Sequence, residues 1–547
     1  MQDSKLATYL LLAMLAGILF IPFLGLVPLF DWDEVNFAEC SREMLVSGNY
    51  ARVQIDFQPF WEKPPLFFWL QALSMQVFGV NEFAARFPNA LVGIATVLVL
   101  LYVGSKIYNP TFALLWILAY VGSFLPHFYF KSGIIDPLFN LFIFLSIYKL
   151  AFLSYHRSKG KRNVEAFFGG VFIGLAILTK GPVGLLIAVL CILIFWINTL
   201  KVSTFRFIEG FLYVLAAVLV SSLWYVPEMV NNGFWFIRKF IDYQYGLAFR
   251  SQDTAHEQPF WYHFVVLLVG CFPASIYFLR GVGINSYRQS PLQQHFRLWM
   301  LLLFWVTLLL FSMVKAKIVH YSSLCYFPIT YIASDYIYQI YRRSQKFASW
   351  LTVFFIIVGL VISVVIGFFP FIPAYKAQIL PLIDDKFAAA GLQAAVVWTQ
   401  WEALAVVPFC LGVFIAVFFH RKHILFSAFS IYLGTLLTTQ IVIYVYVPKV
   451  ERHVQGAMID FLKSVAKEDA YIATIDFRSY AHYFYGEVDM NSDARRSDIQ
   501  WLTTGEIDKP AYFIARIDRP KPEITQHLIK LYAKDGFVFY KREKPQK

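Results

Sequence analysis

Apolar runs of roughly 17–25 residues recur along most of the chain, each long enough to cross about 30 Å of hydrocarbon as a helix. A soluble protein cannot hide that much apolar surface. The 547 residues are 59% hydrophobic and 19% aromatic with only 15% charged, and the mean hydropathy is +0.57, far from an ordinary soluble domain. Spans are expected at residues 6–26, 87–107, 111–126, 137–153, 164–179, 183–200, 208–226, 260–278, 298–313, 324–338, 348–370, 398–419 and 424–447. The expectation is therefore a polytopic α-helical membrane protein with about thirteen transmembrane helices. The first run is too long for a cleavable signal and is followed by no small-x-small pattern, so it is read as a retained anchor.

Orientation follows from lysine and arginine in the short connections. His156 to Arg162, Lys201 with Arg206, Arg280 to Arg297, Arg342 with Arg343, and Arg421 with Lys422 fall on one face. That face is expected to be cytoplasmic, with the N-terminus on it. The opposite face then holds the first long loop, residues 27–86, several short acidic and aromatic connections, and the tail. The net charge of +12 is mainly topological, which argues against nucleic acid as a partner.

Residues 1–447 read as the membrane domain and 448–547 as a small α/β domain outside it, because soluble composition begins near Val450. In the tail, residues 454–465 and 524–533 look helical, and 471–477, 511–517 and 537–540 look like strands. The five cysteines offer no disulfide framework: Cys191, Cys271, Cys325 and Cys410 sit in spans and only Cys40 lies in an outer loop.

The polar residues of the bundle separate two classes of function. In a transporter or channel, costly charges lie near mid-membrane along a path. Here His127, Lys131, Asp136, Lys180, Lys315, Lys317 and His320 fall where a span meets the outer face. That grouping suits an enzyme working at a lipid headgroup better than a pore.

The first long loop carries two charged clusters, Asp31, Asp33, Glu34 and Glu39, then Glu62 and Lys63 before Pro64 and Pro65. Asp31 with Glu34 three residues on reads as an N-cap closed by a capping box. Asp33 is then left free to face the membrane surface as a base, unless it is itself the cap. Glu62, Lys63 and the prolines open an apolar helix, residues 66–78, too short to span and expected in the interface. A lysine at a helix start opposes the helix dipole. Either an anion such as phosphate sits beside Lys63, or its ammonium snorkels to the headgroups. Gly170 and Gly174 are spaced for close helix packing.

Together these residues resemble a family. Asp33-Glu34, Ala38-Glu39, Arg42-Glu43, Ser47-Gly48, Glu62-Lys63-Pro64-Pro65, Phe78-Gly79, Ala84-Ala85-Arg86, Leu178 to Pro182, His256 with Pro259 to Tyr262, and Lys315 through Tyr321 to Pro328 are similar to the bacterial aminoarabinose transferases. Those enzymes lie within the protein O-mannosyltransferase-like (GT-C) superfamily of membrane glycosyltransferases. The motifs run from about residue 6 to 340 and are specific as a set.

The resemblance implies a GT-C fold with interfacial helices in the first outer loop and a periplasmic C-terminal domain, in a bacterial inner membrane. It implies transfer of a sugar, with inversion, from a polyprenyl monophosphate such as undecaprenyl phosphate. The acceptor is a lipid A phosphate in the aminoarabinose branch and a protein hydroxyl in the mannosyltransferase branch. A lipid-linked sugar transporter or flippase is the alternative outside enzymes. Breaking the bond from anomeric carbon to phosphate leaves negative charge, which donors in low dielectric stabilise. Lys63 is the first candidate for that phosphate, with Tyr321 by the family match and Lys180 and Arg250 as lesser additions. Asp33 is the catalytic carboxylate, as base or to place the attacking oxygen, and Glu34, Asp136 and Arg42 are acceptor or structural candidates. No cofactor is required, although Glu62 and His256 form a candidate pair for a structural zinc. One position departs from the family: where the aminoarabinose transferases carry Asp-Glu-Thr-Arg, this chain has Asp33-Glu34-Val35-Asn36. An arginine is lost there, and Arg42, Arg52 or Arg250 must replace it or the sugar or acceptor differs.

Overall fold

The structure is a computed structural model that describes residues 2–199, 205–249, 257–284, 290–490, 493 and 495–544. Eight described helical runs are long and apolar enough to cross a membrane, from Glu82–Ile107 to Ile424–Val465. Two bent pairs raise this to ten: Pro110–Val121 with Phe124–Lys131, at 84°, and Tyr262–Gly270 with Ala274–Gly281, at 116°. Of the thirteen expected spans, eight fall on those runs, two on the bent pairs and two on the shorter apolar helices Lys5–Phe20 and Val183–Thr199, while the span expected at 324–338 falls on helix Tyr326–Tyr341, which is in none of these groups. The molecule is thus a multi-span helical membrane protein.

Small residues let the helices approach closely. A Cβ on Gly170 would stand 2.1 Å from the Tyr213 carbonyl oxygen, and one on Gly174 would stand 2.7 Å from Val220 Cβ. The two glycines therefore seat Phe207–Asn232 against Lys159–Lys180, the use their spacing predicts.

The first long loop folds into two helices and a hairpin on one end of the bundle. Helix Asp33–Ser47 is buried along most of its length, and helix Leu66–Phe78 begins where the proline pair predicts. Between them strands β1 (Gln54–Ile55) and β2 (Gln58–Pro59) pair antiparallel.

At the C-terminal end, helix Ile424–Glu451 passes through a π-helical turn, Arg452–Gly456, into helix Ala457–Val465. A four-stranded sheet follows, formed by β3 (Tyr471–Ile475), β4 (Ala511–Arg516), β5 (Ile529–Lys534) and β6 (Phe537–Arg542), in the order β3-β4-β6-β5. β3 and β4 are parallel and the other pairs antiparallel. The helix expected at 524–533 is not there: only Pro522–Thr525 is helical, and β5 takes the stretch from Ile529. β5 is an exposed edge strand carrying Lys530 and Lys534, so pairing with β6 overrides its helix-like local composition.

The C-terminal region clasps the first loop. The Leu29 amide donates to the Tyr485 hydroxyl at 2.6 Å, Gln455 Nε2 donates to the Leu29 carbonyl at 2.8 Å, and the Asp31 amide donates to Gln455 Oε1 at 3.3 Å. Arg496 pairs with Asp56 at 2.6 Å, and the Arg478 guanidinium lies 5.4 Å from the Trp32 ring centroid. These contacts tie residues more than 400 positions apart to the loop that carries both charged clusters.

Candidate active site

The capping box does not form. Trp32 occupies the N-cap position of helix Asp33–Ser47 with no side-chain cap. The Glu34 carboxylate instead takes Arg86 at two points, Nε at 3.0 Å and Nη2 at 2.7 Å, and accepts from the amides of Gly133 at 2.5 Å and Phe30 at 3.0 Å. Burial alone would raise the Glu34 pKa, but the Arg86 charge and these hydrogen bonds hold it below the usual value. Asp31 is no cap either: its carboxylate accepts from the Tyr480 amide at 3.5 Å, and burial pushes its pKa up. Glu34 is a buried structural hub, because a charge-assisted pair with Arg86 outweighs one local capping bond.

Asp33, the first residue of that helix, stays partly exposed, and its Oδ2 lies 3.4 Å from His320 Nε2. The same imidazole nitrogen lies 3.8 Å from Asp136 Oδ2, and Asp136 Oδ1 accepts from Lys180 Nζ at 2.6 Å. Local structure favours this pair: Asp136 opens helix Asp136–Tyr155 and Lys180 closes helix Lys159–Lys180, so each charge suits its helix end. Lys180 Nζ also lies 5.2 Å from the Tyr321 ring centroid, and Lys63 Nζ lies 5.2 Å from that of Tyr243.

Burial pulls the Lys63 ammonium below the ordinary lysine value, Lys180 reinforces the shift, and the carboxylates of Glu62, Asp33 and Asp136 oppose it. Lys63 therefore shares one electrostatic neighbourhood with both aspartates and Lys180. Burial likewise lowers the His320 pKa, offset in part by Asp136 and Asp33, which favours the neutral imidazole. The Tyr321 phenol is pushed up by burial first and then by Asp33, and stays a proton donor.

Five segments distant in sequence thus bring together Asp33, Glu62, Lys63, Asp136, Lys180 and Tyr321. Two residues sequence reasoning did not assign to the site, His320 and Tyr243, join them. His320 carried a signal, since it precedes Tyr321 in a stretch of basic and aromatic residues at a span edge. Tyr243 carried none.

A cavity of about 280 Å³ opens beside this cluster, lined by Asp31, Asp33, His320, Lys131 and apolar side chains such as Phe23 and Val447. Arg42 does not join the cluster: it is buried in a two-point pair with Glu39, both contacts at 2.7 Å, and donates to the Val488 carbonyl at 3.0 Å. Asn36 is buried in the same helix and accepts from Cys40 Sγ at 3.7 Å. Arg250 and His256 lie outside the described residues. Among the described residues no group of three or more His, Cys, Asp or Glu could hold a metal ion.

Residues 62–225 match the family model of dolichyl-phosphate-mannose-protein mannosyltransferases. The undecaprenyl phosphate-alpha-4-amino-4-deoxy-L-arabinose arabinosyl transferase 1 of Proteus mirabilis is 29% identical over 57% of this chain and 56% of its own length. The corresponding transferase of Edwardsiella ictaluri is 27% identical over 63% of this chain and 62% of its own. The chain thus matches less than two thirds of the length of these relatives. The crystal structure of ArnT from Cupriavidus metallidurans bound to undecaprenyl phosphate superposes with a TM-score of 0.76, covering 100% of both chains at 17% identity. Its apo form gives 0.77. The chain is accordingly a relative in sequence of the aminoarabinose transferases, and its fold is the GT-C membrane fold of ArnT.

Proposed function

We propose that the chain is an inverting glycosyltransferase that moves a sugar, aminoarabinose or a close analogue, from undecaprenyl phosphate to a phosphate of lipid A. The observation that carries the reading is the meeting of two lysines, Lys63 and Lys180, with two aspartates, Asp33 and Asp136, at one end of a membrane bundle beside a cavity. The acceptor oxygen attacks the anomeric carbon, the bond from that carbon to the phosphate oxygen breaks, and the electron pair leaves on the polyprenyl phosphate. Lys63, Lys180 and the Tyr321 hydroxyl stabilise the leaving phosphate, with Arg250 as a further donor. Asp33 holds the attacking oxygen in line and takes its proton where it has one. A lipid A phosphate is already ionised at neutral pH, so on that acceptor Asp33 acts mainly by placement.

The finer topology belongs to the same proposal. Thirteen spans put the N-terminus in the cytoplasm of a bacterial inner membrane, and residues 448–547 form a periplasmic domain on the side of the site. The reaction needs no cofactor; a zinc shared by Glu62 and His256 would be a structural tie between two outer loops. The match of residues 62–225 to protein mannosyltransferases favours a second acceptor, a protein hydroxyl, for which Asp33 must act as a base.

Mass spectrometry of lipid A and envelope proteins, with the wild type and with Asp33→Asn or Lys63→Ala, tests the reading. The expected result is a sugar adduct on lipid A that both substitutions abolish while the protein stays folded in the membrane. Adducts on protein alone would select the second acceptor. Transport of lipid-linked sugar without any adduct would replace the enzyme with a flippase.

A further inference from the structure

A second cavity, of about 610 Å³, lies between the β1–β2 hairpin and the C-terminal sheet region, and neither the catalytic cluster nor the reaction above uses it. Its size falls within the roughly 300–1,000 Å³ of small-molecule sites. Its walls carry both signs of charge, and much of that charge is already committed: Arg496 to Asp56 at 2.6 Å and Lys509 to Asp469 at 2.9 Å. The rest of the wall combines the charged Lys467, Glu468, Glu487 and Asp489 with hydroxyls and tyrosine rings, including Thr474, Ser479 and Tyr483. His482 also lines it, is buried, and has an Nδ1 with no hydrogen-bond partner among the described residues. Burial holds the His482 pKa down at about 4, so at neutral pH the ring is uncharged and suits a hydroxyl better than a phosphate.

The position of this cavity matters as much as its chemistry. Arg478 and Tyr480 form part of its wall, and the same two residues contact the catalytic loop, Arg478 over the Trp32 ring and the Tyr480 amide to the Asp31 carboxylate. Trp32 immediately precedes Asp33. We propose that the cavity is a carbohydrate subsite that takes the saccharide headgroup of the acceptor glycolipid, while the acceptor phosphate reaches Asp33 past the Arg478–Trp32 contact. This rests on the transferase reading for the identity of the ligand, and on the cavity itself for the existence of the site.

The test is calorimetric titration of the purified full chain in nanodiscs with deacylated lipid A disaccharide bisphosphate, and separately with its dephosphorylated form. Both should bind, with affinities within about threefold of each other. Thr474→Trp, which fills the cavity, and Tyr483→Ala, which removes a wall, should each weaken binding at least ~tenfold, and should raise the acceptor KM similarly with the donor KM unchanged. Lys63→Ala should bind the disaccharide as the wild type does. Binding of the bisphosphate alone, or disaccharide binding unchanged in both cavity variants that retain the wild-type melting temperature, would overturn the subsite and leave the transferase reading intact. Disaccharide binding by a wild type that transfers no sugar would instead overturn the transferase reading and keep the subsite.

Discussion

At the residue scale, two glutamates of one helix face opposite demands. Glu34 is buried against Arg86, and removing one partner of such a pair leaves a buried charge uncompensated, at a cost of about 3–5 kcal/mol. Arg86→Ala is therefore expected to abolish folding in the membrane or to lower the melting temperature strongly, as read by size-exclusion profile and thermal melt. The pKa of Glu34 is depressed in the folded protein, so its stabilising contribution is present at neutral pH and is lost as pH falls through the folded value. Glu43 behaves the other way. Burial and the neighbouring Glu39 push it up to about 9, and its Oε1 has no hydrogen-bond partner among the described residues. Between the ordinary value of 4.5 and about 9 the folded state holds a proton that the unfolded chain has released, so stability falls as pH rises across that window. Glu43→Gln should flatten this dependence, and a melt series from pH 6 to pH 9 in which the wild type loses no more than the variant would contradict it.

Elements show which parts of the molecule could be read from sequence. The helix at 66–78 was legible because a proline pair marks its start and an apolar run sets its length. Gly170 and Gly174 were legible because spacing alone puts them on one helix face. A hydrogen-bonding choice was not: Asp31 and Glu34 match a capping box by spacing, but Arg86, 52 positions beyond Glu34, supplies a stronger partner that no local rule sees. For the same reason the site was half visible. Asp33, Lys63, Lys180 and Tyr321 lie in recognisable motifs, whereas Tyr243 reaches Lys63 only through the packing of helix Trp235–Phe249. The close contact at Gly170 leads to a prediction about an element pair. A valine there places a Cβ against the Tyr213 backbone that must move one helix or the other. Gly170→Val should cut the yield of folded protein several-fold, while Gly160→Ala, with open space around its Cβ position, should leave yield unchanged.

For the whole molecule, function depends on which side of the membrane the charged end faces. Among the described residues, the clasp through Tyr485, Gln455 and Arg496 holds the C-terminal region against the loop that carries Asp33 and Lys63, so that region and the cluster share one side. The arginines that pair with Glu209, Arg162 and Arg206, belong to the connections of the basic face. The positive-inside rule predicts that those connections are cytoplasmic and that site and sheet lie together on the opposite face, as the proposed topology requires. Single cysteines test this directly. Ser158→Cys sits in an exposed basic connection and Glu523→Cys is exposed on the C-terminal region. Of the native cysteines only Cys410, within helix Val407–Phe419, is exposed in the structure. A membrane-impermeant maleimide added to intact spheroplasts should label Glu523→Cys and leave Ser158→Cys unlabelled until the membrane is opened. The reverse pattern would put the lysine–aspartate cluster in the cytoplasm, and a donor phosphate bound there could not serve a periplasmic acceptor.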